Sequence, residues 1–494
     1  MKPAAAARAL VSAALVVVVP LASATTAATA AANPVISSVA PDPSVQRGAD
    51  GAFHVHATSD DWGDGAGSRL IPHFRSFDLV EWEYVGDAFA ARPAWAPPGS
   101  FLWAPDVHLT ATGAVMYYTT GGAAPCIGRA TAPGVDGPWT HDPAPIVCHG
   151  APEPYQDLDP MDPEVVVTDA GPVMLMGNFE GIHAVPMNAT GTALDGDPVL
   201  VAGTGVEAPA VVTRQGRTHL FTSAGLCCDG EASQYRVLGG RADGLFGPYE
   251  DRTGRPLVQA PGEPLPGDVI LRGDTDWVGP GHVDVATDDA GGDWMLYHAA
   301  PRGNAVLPSG VQRRYLMLDR LDWVGGWPVV GDGTPSEARP ADPVVALPVR
   351  LTAVGEASLR PGDDGTAAAD DDDDEVIDLS VRVASTGTAY SGEVRATITG
   401  PDKRRLALPI VTGTGDLPAV PVSVGAGASM DRPLTLRPPA PLAPGRHELV
   451  ISIGAAEGGA AQELAVFGLE VAPDGTLSLG SGALGSAPIG SSGS

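Results

Sequence analysis

The stretch from residue 103 to residue 119 reads WAPDVHLTATGAVMYYT, and the order of its features decides the fold. A polar residue stands beside proline in Ala104-Pro105-Asp106, a glycine turn follows at Thr112-Gly113, and a strand-like run fills residues 114–119. Glycine supplies the positive φ that a tight turn between two antiparallel strands needs. The stretch therefore predicts the beginning of an antiparallel sheet, with Asp106 at the entry to its first strand.

The same unit occurs five times along the chain. Its polar segments are separated by 64, 56, 45 and 75 residues. They are Pro41-Asp42-Pro43, Ala104-Pro105-Asp106, Met161-Asp162-Pro163, Val206-Glu207-Ala208-Pro209 and Gly279-Pro280-Gly281-His282. Repeats of roughly 50–60 residues that each hold several short strands are typical of β-propellers. The sequence thus predicts an all-β fold class, with a five-bladed β-propeller over residues 33–342.

Propeller geometry would bring residues that are far apart in the sequence into one place. The first strand of each blade lines the central channel, so residues that enter this strand meet at one end of the axis. We therefore expect Asp42, Asp106, Asp162, Glu207 and His282 to surround a funnel. Carboxylates and an imidazole gathered in this way indicate a chemical site rather than a packing motif.

The composition changes after about residue 340. Strand-like runs with alternating polarity cover residues 376–383 and 447–453, among others, and predict a C-terminal immunoglobulin-like β-sandwich over residues 343–474. The Gly/Ser-rich residues 475–494 are expected to form a flexible tail. The acidic run at residues 370–375 predicts a solvated loop, with a calcium site in the sandwich as the alternative.

The N-terminal 32 residues have the pattern of a secretory signal peptide. Lys2 and Arg8 precede an apolar run at residues 9–21, and Ala28-Thr29-Ala30 offers small residues for cleavage. The run is too short for a membrane anchor, which needs about 20 apolar residues. We expect a secreted, extracellular protein that has no membrane association once the signal is removed.

Charge and size exclude several classes of protein. The 494 residues include 29 Lys and Arg against 59 Asp and Glu, which gives a formal net charge of −30. This balance argues against nucleic acid or an anionic membrane as a partner, because both require clustered basic residues. With 44% apolar residues, a chain of this length can bury a sizeable core, which excludes global disorder. We expect a monomer.

The four cysteines can pair in an exported protein. Cys126 and Cys148 flank a segment that has the pattern of two adjacent strands, so they are the favoured pair. Cys227 and Cys228 are neighbours in the sequence, and a bridge between them and two free thiols both stay open.

The ordered motifs resemble those of glycoside hydrolase family 43, in particular its arabinan-degrading members. Besides the five polar segments, the resemblance rests on residues 76–82, on residues 85–89 and on Gly326-Trp327-Pro328, and it covers about residues 38–335. The segment Leu226-Cys227-Cys228-Asp229-Gly230 is similar to a double-cysteine loop of some arabinanases. That similarity favours arabinan over xylan as substrate.

The resemblance implies a five-bladed propeller and an inverting mechanism with three carboxyl groups. It assigns Asp42 as the general base, Glu207 as the general acid, and Asp162 as the residue that tunes the pKa and orientation of the acid. Inversion needs a water between the base and the sugar, and an acid that stays protonated near the working pH. Asp157 and Asp159 lie near Asp162 in the sequence and compete with it for this role.

The resemblance also suggests residues around the catalytic carboxyl groups. His282 is the metal candidate, with a structural calcium ion near it, and a hydrogen-bonded structural histidine is the alternative. No cofactor is expected for the chemistry itself. For three of the substrate-binding candidates an alternative stays open: a core position for Trp103, an architectural role for Asp106, and a surface position for Arg314. The substrate-binding candidates are Trp103, Asp106, Asn178, Phe179, Ser223 and Arg314.

These patterns together predict a secreted inverting glycoside hydrolase that cleaves α-L-arabinofuranosyl linkages in arabinan or arabino-oligosaccharides. A β-xylosidase or another glycosidase of the same family is one alternative, and a non-catalytic propeller that binds glycans or protein is another. Asp42, Asp162 and Glu207 together favour an enzyme, because a binding protein need keep none of them. The low aromatic content, 5%, favours the binding protein slightly.

Overall fold

The computed structural model describes the chain as an all-β protein. The only helix in the described residues is the 3₁₀ turn Gly230–Ala232. It is too short to cross a membrane. The predicted signal segment, the acidic run before Glu375 and most of the predicted tail lie outside these residues. The described residues are 33–48, 51–259, 263–337, 341–345, 349–361, 375–385, 390–401, 405–412, 415–425, 428–438, 442–454, 463–472 and 477–479.

Five antiparallel sheets follow one another between residues 44 and 330, and each is built from strands that are consecutive in the chain. Sheet 1 contains β1 (Ser44–Arg47), β2 (Phe53–His56), β3 (Pro72–Ser76) and β4 (Glu83–Asp87). Sheet 2 contains β5 (Leu102–Thr110), β6 (Gly113–Thr120), β7 (Cys126–Ala132), β8 (Thr140–His141) and β9 (Val147–Cys148). Sheet 3 contains β10 (Glu164–Thr168), β11 (Gly171–Asn178), β12 (Gly181–Pro186) and β13 (Val199–Ala202).

The fourth and fifth sheets have the same up-and-down order. Sheet 4 contains β14 (Val206–Arg214), β15 (Arg217–Ala224), β16 (Arg236–Ala242) and β17 (Asp268–Arg272). Sheet 5 contains β18 (Trp277–Thr287), β19 (Asp293–Pro301), β20 (Tyr315–Val324) and β21 (Trp327–Val330). The turn-and-strand units in the sequence therefore correspond to the first two strands of each sheet.

The second strands of sheets 2, 4 and 5 are buried along almost their whole length. Both faces of such a strand can be buried only if another sheet packs on each side of it. Phe221 of sheet 4 and Met295 of sheet 5 belong to one hydrophobic cluster, and Tyr117 of sheet 2 and Met174 of sheet 3 share another. The core of this region thus lies between neighbouring sheets.

Side chains of the first strands tie each sheet to the next one. They accept hydrogen bonds from backbone N–H groups that would otherwise be buried without a partner. The bond from Val45 to Asp284 closes the series, because it joins sheet 5 back to sheet 1. The four bonds run from Val107 to Ser44 Oγ (3.0 Å), from Val165 to Asp106 Oδ2 (2.7 Å), from Val211 to Glu164 Oε1 (2.9 Å) and from Val45 to Asp284 Oδ2 (2.7 Å).

The link from sheet 4 to sheet 5 differs from the other four. Ala210 stands at the corresponding place in sheet 4, and its methyl group cannot accept a hydrogen bond. The N–H of Val285 instead donates to Asp284 Oδ1, on its own strand, at 2.7 Å. Asp284 therefore accepts hydrogen bonds from two sheets at once, one on each oxygen of its carboxyl group.

Two further sheets follow the first five and share one hydrophobic cluster, which includes Leu351 and Ile377 of sheet 6 and Val394 and Ile451 of sheet 7. Sheet 6 has the order β22 (Val349–Pro361), β23 (Glu375–Ser385), β29 (Ser429–Leu436), β26 (Ile410–Thr412) and β27 (Gly415–Leu417). Sheet 7 has the order β25 (Arg405–Leu408), β24 (Tyr390–Thr399), β30 (Gly445–Gly454), β31 (Glu463–Val471) and β32 (Leu477–Leu479), with β28 (Val420–Val424) also paired to β24.

All four cysteines form disulfides. Cys126 bonds to Cys148, so the favoured pairing from the sequence is confirmed, and the bridge joins two strands of sheet 2. Cys227 bonds to its neighbour Cys228, which decides between the two alternatives left open by the sequence.

Candidate active site

One residue at the start of each of the first five sheets has a left-handed backbone although it is not glycine. The φ angles are 53° for Asp42, 45° for Ala104, 51° for Asp162, 55° for Ala208 and 51° for His282. This conformation costs roughly 1–3 kcal/mol at a residue with a Cβ and persists where surrounding contacts impose it. Three of the five are predicted site residues, so the strain lies where the carboxyl groups and the imidazole gather.

Hydrogen bonds from the preceding sheet hold all five residues; the N–H of Ala208 donates to the side chain of Asp162, and the other four bonds form two groups. In three cases a hydroxyl at the end of a second strand, or just beyond it, accepts the backbone N–H. The fourth case is Asp42, whose N–H donates to Nδ1 of His298 at 3.3 Å. The hydroxyl bonds run from Ala104 to Thr58 Oγ1 (2.7 Å), from Asp162 to Thr119 Oγ1 (3.0 Å) and from His282 to Ser223 Oγ (2.9 Å).

A cavity of about 290 Å³ opens where the five sheets begin. It gathers six of the ten predicted site residues, although their positions span more than 270 residues of sequence. A half-open pocket of this size can enclose a sugar ring or two. The lining residues are Asp42, Thr58, Trp103, Met161, Asp162, Glu207, Cys227, Cys228, His282 and Arg314.

Asp42 lies among cationic and imidazole groups. Arg314 Nη1 donates to both of its carboxylate oxygens at 3.2 Å, and its Oδ1 lies 3.4 Å from His282 Nδ1 and 3.1 Å from His298 Nδ1. Burial alone would raise the pKa of Asp42, but Arg314, His282 and His298 outweigh burial and hold the pKa well below its usual value. The carboxyl group is therefore ionised.

Arg314 is a buried residue with two carboxylate partners. It is 8% exposed, so the surface position considered from the sequence is wrong. Its Nη2 donates to Asp60 Oδ2 at 3.4 Å, while its Nη1 donates to Asp42. A buried guanidinium that is shared in this way both neutralises Asp42 and fixes its orientation.

Glu207 has the opposite electrostatic environment. Burial, with further repulsion from Asp42 and Asp159, raises its pKa to about 7, although a hydrogen bond from Tyr235 and the charge of Arg314 oppose this rise. The hydroxyl of Tyr235 donates to Glu207 Oε1 at 2.7 Å. One carboxyl group that is ionised and another that is protonated near neutral pH are the two states that acid–base chemistry requires.

Asp162 is the third carboxyl group of the cavity. Burial and the negative charges of Glu207 and Asp42 raise its pKa well above the usual value, while the N–H of Ala208 opposes this by donating to it. Two carboxyl groups that repel each other in this way share protons rather than ionise independently. Asp159, its competitor from the sequence, does not line the cavity.

His282 faces the cavity, and burial lowers its pKa to about 4, which leaves a neutral imidazole. The side chains around it do not fit a calcium site. Calcium takes six to eight oxygen ligands, whereas His282 offers nitrogen and the nearest carboxylate, Asp42, is engaged by Arg314. No group of three or more His, Cys, Asp or Glu side chains in the described residues is arranged to hold a metal ion.

Asp106 and Ser223, two of the predicted substrate-binding residues, are not among the residues that line the cavity. Asp106 Oδ2 accepts the N–H of Val165 and lies 2.7 Å from His108 Nε2, so its side chain joins sheets and corresponds to the architectural alternative. Ser223 is 1% exposed, and its Oγ is used by the N–H of His282. In both residues the side-chain oxygen accepts a hydrogen bond from a backbone N–H group of another strand.

Asn178 and Phe179 also lie outside the cavity lining. Asn178 is half-buried, with its Nδ2 3.3 Å from the sulfur of Met161, and Phe179 is exposed. Trp103 does form part of the wall, and its ring lies parallel to that of Phe101, with centroids 6.0 Å apart. Of the two positions considered for Trp103, the structure places it at the site rather than in the core.

Several residues of the site were not identified from the sequence: Thr58, Met161, Tyr235, His298 and Asp60. One signal could have indicated two of them, because the strand-like runs at 53–58 and 293–298 each end on a polar residue. These two residues, Thr58 and His298, accept the backbone N–H of the left-handed residue of the next sheet. Tyr235 belongs to no motif in the sequence.

Comparison with known proteins supports the resemblance seen in the motifs. The profile of "Glycosyl hydrolases family 43" matches residues 31–328. An extracellular exo-α-(1→5)-L-arabinofuranosidase of Cellvibrio japonicus is 30% identical over 299 residues, which are 53% of this chain and 80% of that protein. An extracellular endo-α-(1→5)-L-arabinanase of Bacillus subtilis is 25% identical over 275 residues, with 53% and 80% covered.

Solved structures give the same relation. The α-L-arabinanase of Cellvibrio cellulosa has a TM-score of 0.51 and 26% identity, with 60% of this chain and 96% of that chain covered. An endo-1,5-α-L-arabinanase of Thermotoga petrophila covers 88% of this chain and 91% of its own, with a TM-score of 0.50, and at 18% identity the likeness concerns the fold alone. With its paired carboxyl groups and a family match over more than half of its length, the chain belongs to glycosyl hydrolase family 43 and is a glycosidase that hydrolyses O-glycosyl bonds.

Proposed function

We propose that this protein is a secreted, inverting glycoside hydrolase that cleaves α-L-arabinofuranosyl linkages in arabinan or arabino-oligosaccharides. The observation that carries the proposal is the pairing, in one cavity, of an ionised Asp42 with a Glu207 whose pKa is raised to about 7. The names of the relatives, an α-(1→5)-L-arabinofuranosidase and an α-(1→5)-L-arabinanase, support the substrate class.

In the proposed mechanism Asp42 is the general base. Its ionised carboxylate takes a proton from a water as that water attacks the anomeric carbon from the face opposite the leaving group. Arg314 keeps Asp42 ionised and oriented between attacks. Trp103, on the cavity wall, offers a flat face to the sugar, and no step requires a metal ion.

Glu207 is the general acid in this mechanism. It gives its proton to the glycosidic oxygen as the bond to the anomeric carbon breaks, so the leaving sugar departs as a neutral alcohol. We assign to Asp162 the tuning of the pKa and orientation of this acid; burial and the charges of Glu207 and Asp42 raise the pKa of Asp162 itself, so its protonation depends on that of Glu207. The roles proposed from the sequence for Asp42, Asp162 and Glu207 are therefore kept.

We also propose the domain organisation of an exported protein with two folded domains. We propose a signal peptide at residues 1–32, a five-bladed propeller at 33–342 made of sheets 1 to 5, an immunoglobulin-like sandwich at 343–474 made of sheets 6 and 7, and a tail at 475–494. The word extracellular in the names of both relatives supports export. We propose that the mature protein acts as a monomer.

A proton NMR time course of the purified mature protein on debranched arabinan and on α-1,5-arabinobiose tests the proposed function. We expect β-arabinose to appear before its anomer, because single displacement inverts the configuration. Release of monomer alone indicates exo attack, and a ladder of oligomers indicates endo attack. Early α-arabinose contradicts inversion, and cleavage of xylobiose with neither arabinan substrate touched favours the β-xylosidase alternative.

The pH dependence of kcat/KM on arabinobiose is a second expected result. Activity requires Glu207 protonated, so kcat/KM should fall about tenfold per pH unit above a pKa of about 7. The pKa of Asp42 is lowered, so the carboxylate stays ionised in weak acid and activity should not fall there. A steady rate up to pH 9 would contradict the role of Glu207. An aryl arabinofuranoside with a good leaving group is the control, because it needs no acid.

A further inference from the structure

We infer that Tyr235 is a positioning residue for the general acid: it fixes which oxygen of Glu207 carries the proton and stabilises the carboxylate that forms when the proton leaves. This inference rests on the proposed function, because it assigns a partner to the acid of that reaction. It adds a residue that no motif in the sequence indicates.

The contact between the two side chains is short and buried. The Tyr235 hydroxyl donates to Glu207 Oε1 at 2.7 Å, and Tyr235 is 2% exposed. Within the part of the chain that the structure describes, no other donor is hydrogen-bonded to this carboxyl group. Because Oε1 accepts this bond, the proton to be transferred is left on Oε2.

The position of the Tyr235 ring is set by the Gly279-Pro280-Gly281-His282 motif. A Cβ on Gly281 would lie 2.2 Å from Cδ1 of Tyr235, which is far inside van der Waals contact. A Cβ on Gly279 would lie 2.4 Å from Oγ of Ser233, the hydroxyl that accepts the N–H of Tyr235 at 3.3 Å. Both glycines are therefore explained by the space that Tyr235 and its support require.

The ring of Tyr235 also links the acid to the residues that hold the base. It stacks on His298 with ring centroids 5.7 Å apart and an interplanar angle of 7°. Nδ1 of His298 accepts the backbone N–H of Asp42. One aromatic pair thus connects the hydrogen bond on Glu207 with the hydrogen bond on Asp42, and such a stack helps to fix the positions of the two residues.

The hydrogen bond becomes stronger during the proposed reaction. The proton on Oε2 of Glu207 passes to the glycosidic oxygen, the bond from that oxygen to the anomeric carbon breaks, and a water oxygen bonds to the carbon while its proton goes to Asp42. Glu207 is then a carboxylate, and the bond from Tyr235 becomes charge-assisted. An interaction that gains strength toward the transition state lowers the barrier rather than only aiding binding.

Tyr235→Phe tests the inference, because it removes the hydroxyl and keeps the ring on His298. The bond favours the ionised form of Glu207, so its loss should raise the pKa and move the basic limb of kcat/KM upward by about one pH unit. Loss of a hydrogen bond to a developing charge should lower kcat on arabinobiose roughly 10- to 100-fold. On an activated aryl arabinofuranoside, kcat should change by less than about twofold, since that substrate needs no acid.

Tyr249→Phe is the matched control. Tyr249 is also a buried tyrosine, and its hydroxyl donates to the carbonyl oxygen of Leu245 at 2.9 Å, away from the cavity. We expect this variant to leave the basic limb in place. In a Glu207→Gln background, Tyr235→Phe should cause no further loss on arabinobiose, because the acid that it serves is absent.

The outcomes separate two kinds of failure. If wild type is active and Tyr235→Phe slows both substrates equally with an unmoved basic limb, Tyr235 is only structural and the inference is overturned alone. If wild type cleaves neither arabinoside, the proposed function fails and the inference fails with it. Gly281→Ala is a second variant that displaces the ring instead of removing the hydroxyl, and it should move the basic limb in the same direction.

Discussion

Glu207→Ala is expected to reduce the turnover of α-1,5-arabino-oligosaccharides by about 10²–10⁴-fold, the usual worth of general acid catalysis. A sugar alkoxide is a poor leaving group, and without the proton of Glu207 it would have to depart with its negative charge. A dinitrophenyl arabinofuranoside has a leaving group that is stable as an anion, so the same variant should retain most of its rate. The measurement is kcat/KM on both substrates, for wild type and variant side by side.

Asp159→Asn is the matched control for Glu207→Ala. Asp159 is close enough to contribute to the raised pKa of Glu207, yet it does not line the cavity. Removing its charge should lower the pKa of Glu207 slightly and leave turnover within about threefold of wild type. An equal loss on both substrates in Glu207→Ala would show that Glu207 is not the acid.

The origin of these roles lies partly in the sequence and partly in the folded environment. Asp42, Asp162 and Glu207 could be found from the sequence because each stands in the polar segment of a repeated unit. The repeat predicts that they meet, and the structure brings all three into one cavity. The structure adds the causes of their protonation states: burial raises the pKa of Glu207 and Asp162, whereas Arg314, just before β20, helps to hold the pKa of Asp42 down.

For two of the predicted substrate-binding residues, Asp106 and Ser223, the structure shows another use of the side chain. Asp106 and Ser223 stand in or near the repeated units, yet backbone N–H groups of neighbouring strands occupy their oxygens. A polar residue at the junction of two sheets can face the cavity or satisfy a buried backbone donor. One sequence does not distinguish these two uses, because both require the same residue types at the same spacing.

The left-handed residues also could not be anticipated. Ala104 and Ala208 have positive φ angles although alanine seldom adopts them. The hydroxyl of Thr58 accepts the N–H of Ala104, and the carboxyl group of Asp162 accepts that of Ala208. The conformation is thus imposed by contacts across sheets, and those contacts exist only after the sheets have assembled.

Asp42→Asn has the largest expected effect of all, because it should abolish the hydrolysis of both the natural and the activated arabinoside. A good leaving group removes the need for an acid, but the attacking water still has to lose a proton, and an amide cannot take it. The expected loss is at least about 10²–10⁴-fold on each substrate. The variant leaves the charge of Arg314 with Asp60 as its remaining carboxylate partner, so thermal unfolding and arabinotriose binding must first show a folded site.

Asp60→Asn is the matched control for Asp42→Asn, because it removes the other carboxylate partner of Arg314. Asp60 also accepts a hydrogen bond from Arg314, but it lies outside the cavity lining, so its loss should cost about tenfold or less on either substrate. A folded Asp42→Asn protein that still cleaves the activated substrate at a substantial rate would move the base to another carboxyl group. Asp162 would be the next to test, but burial and the negative charges of Glu207 and Asp42 raise the pKa of Asp162 and so oppose its ionised form. A base must be ionised before it can act. Of the three carboxyl groups of the cavity, Asp42 is the one in contact with a guanidinium and two imidazoles.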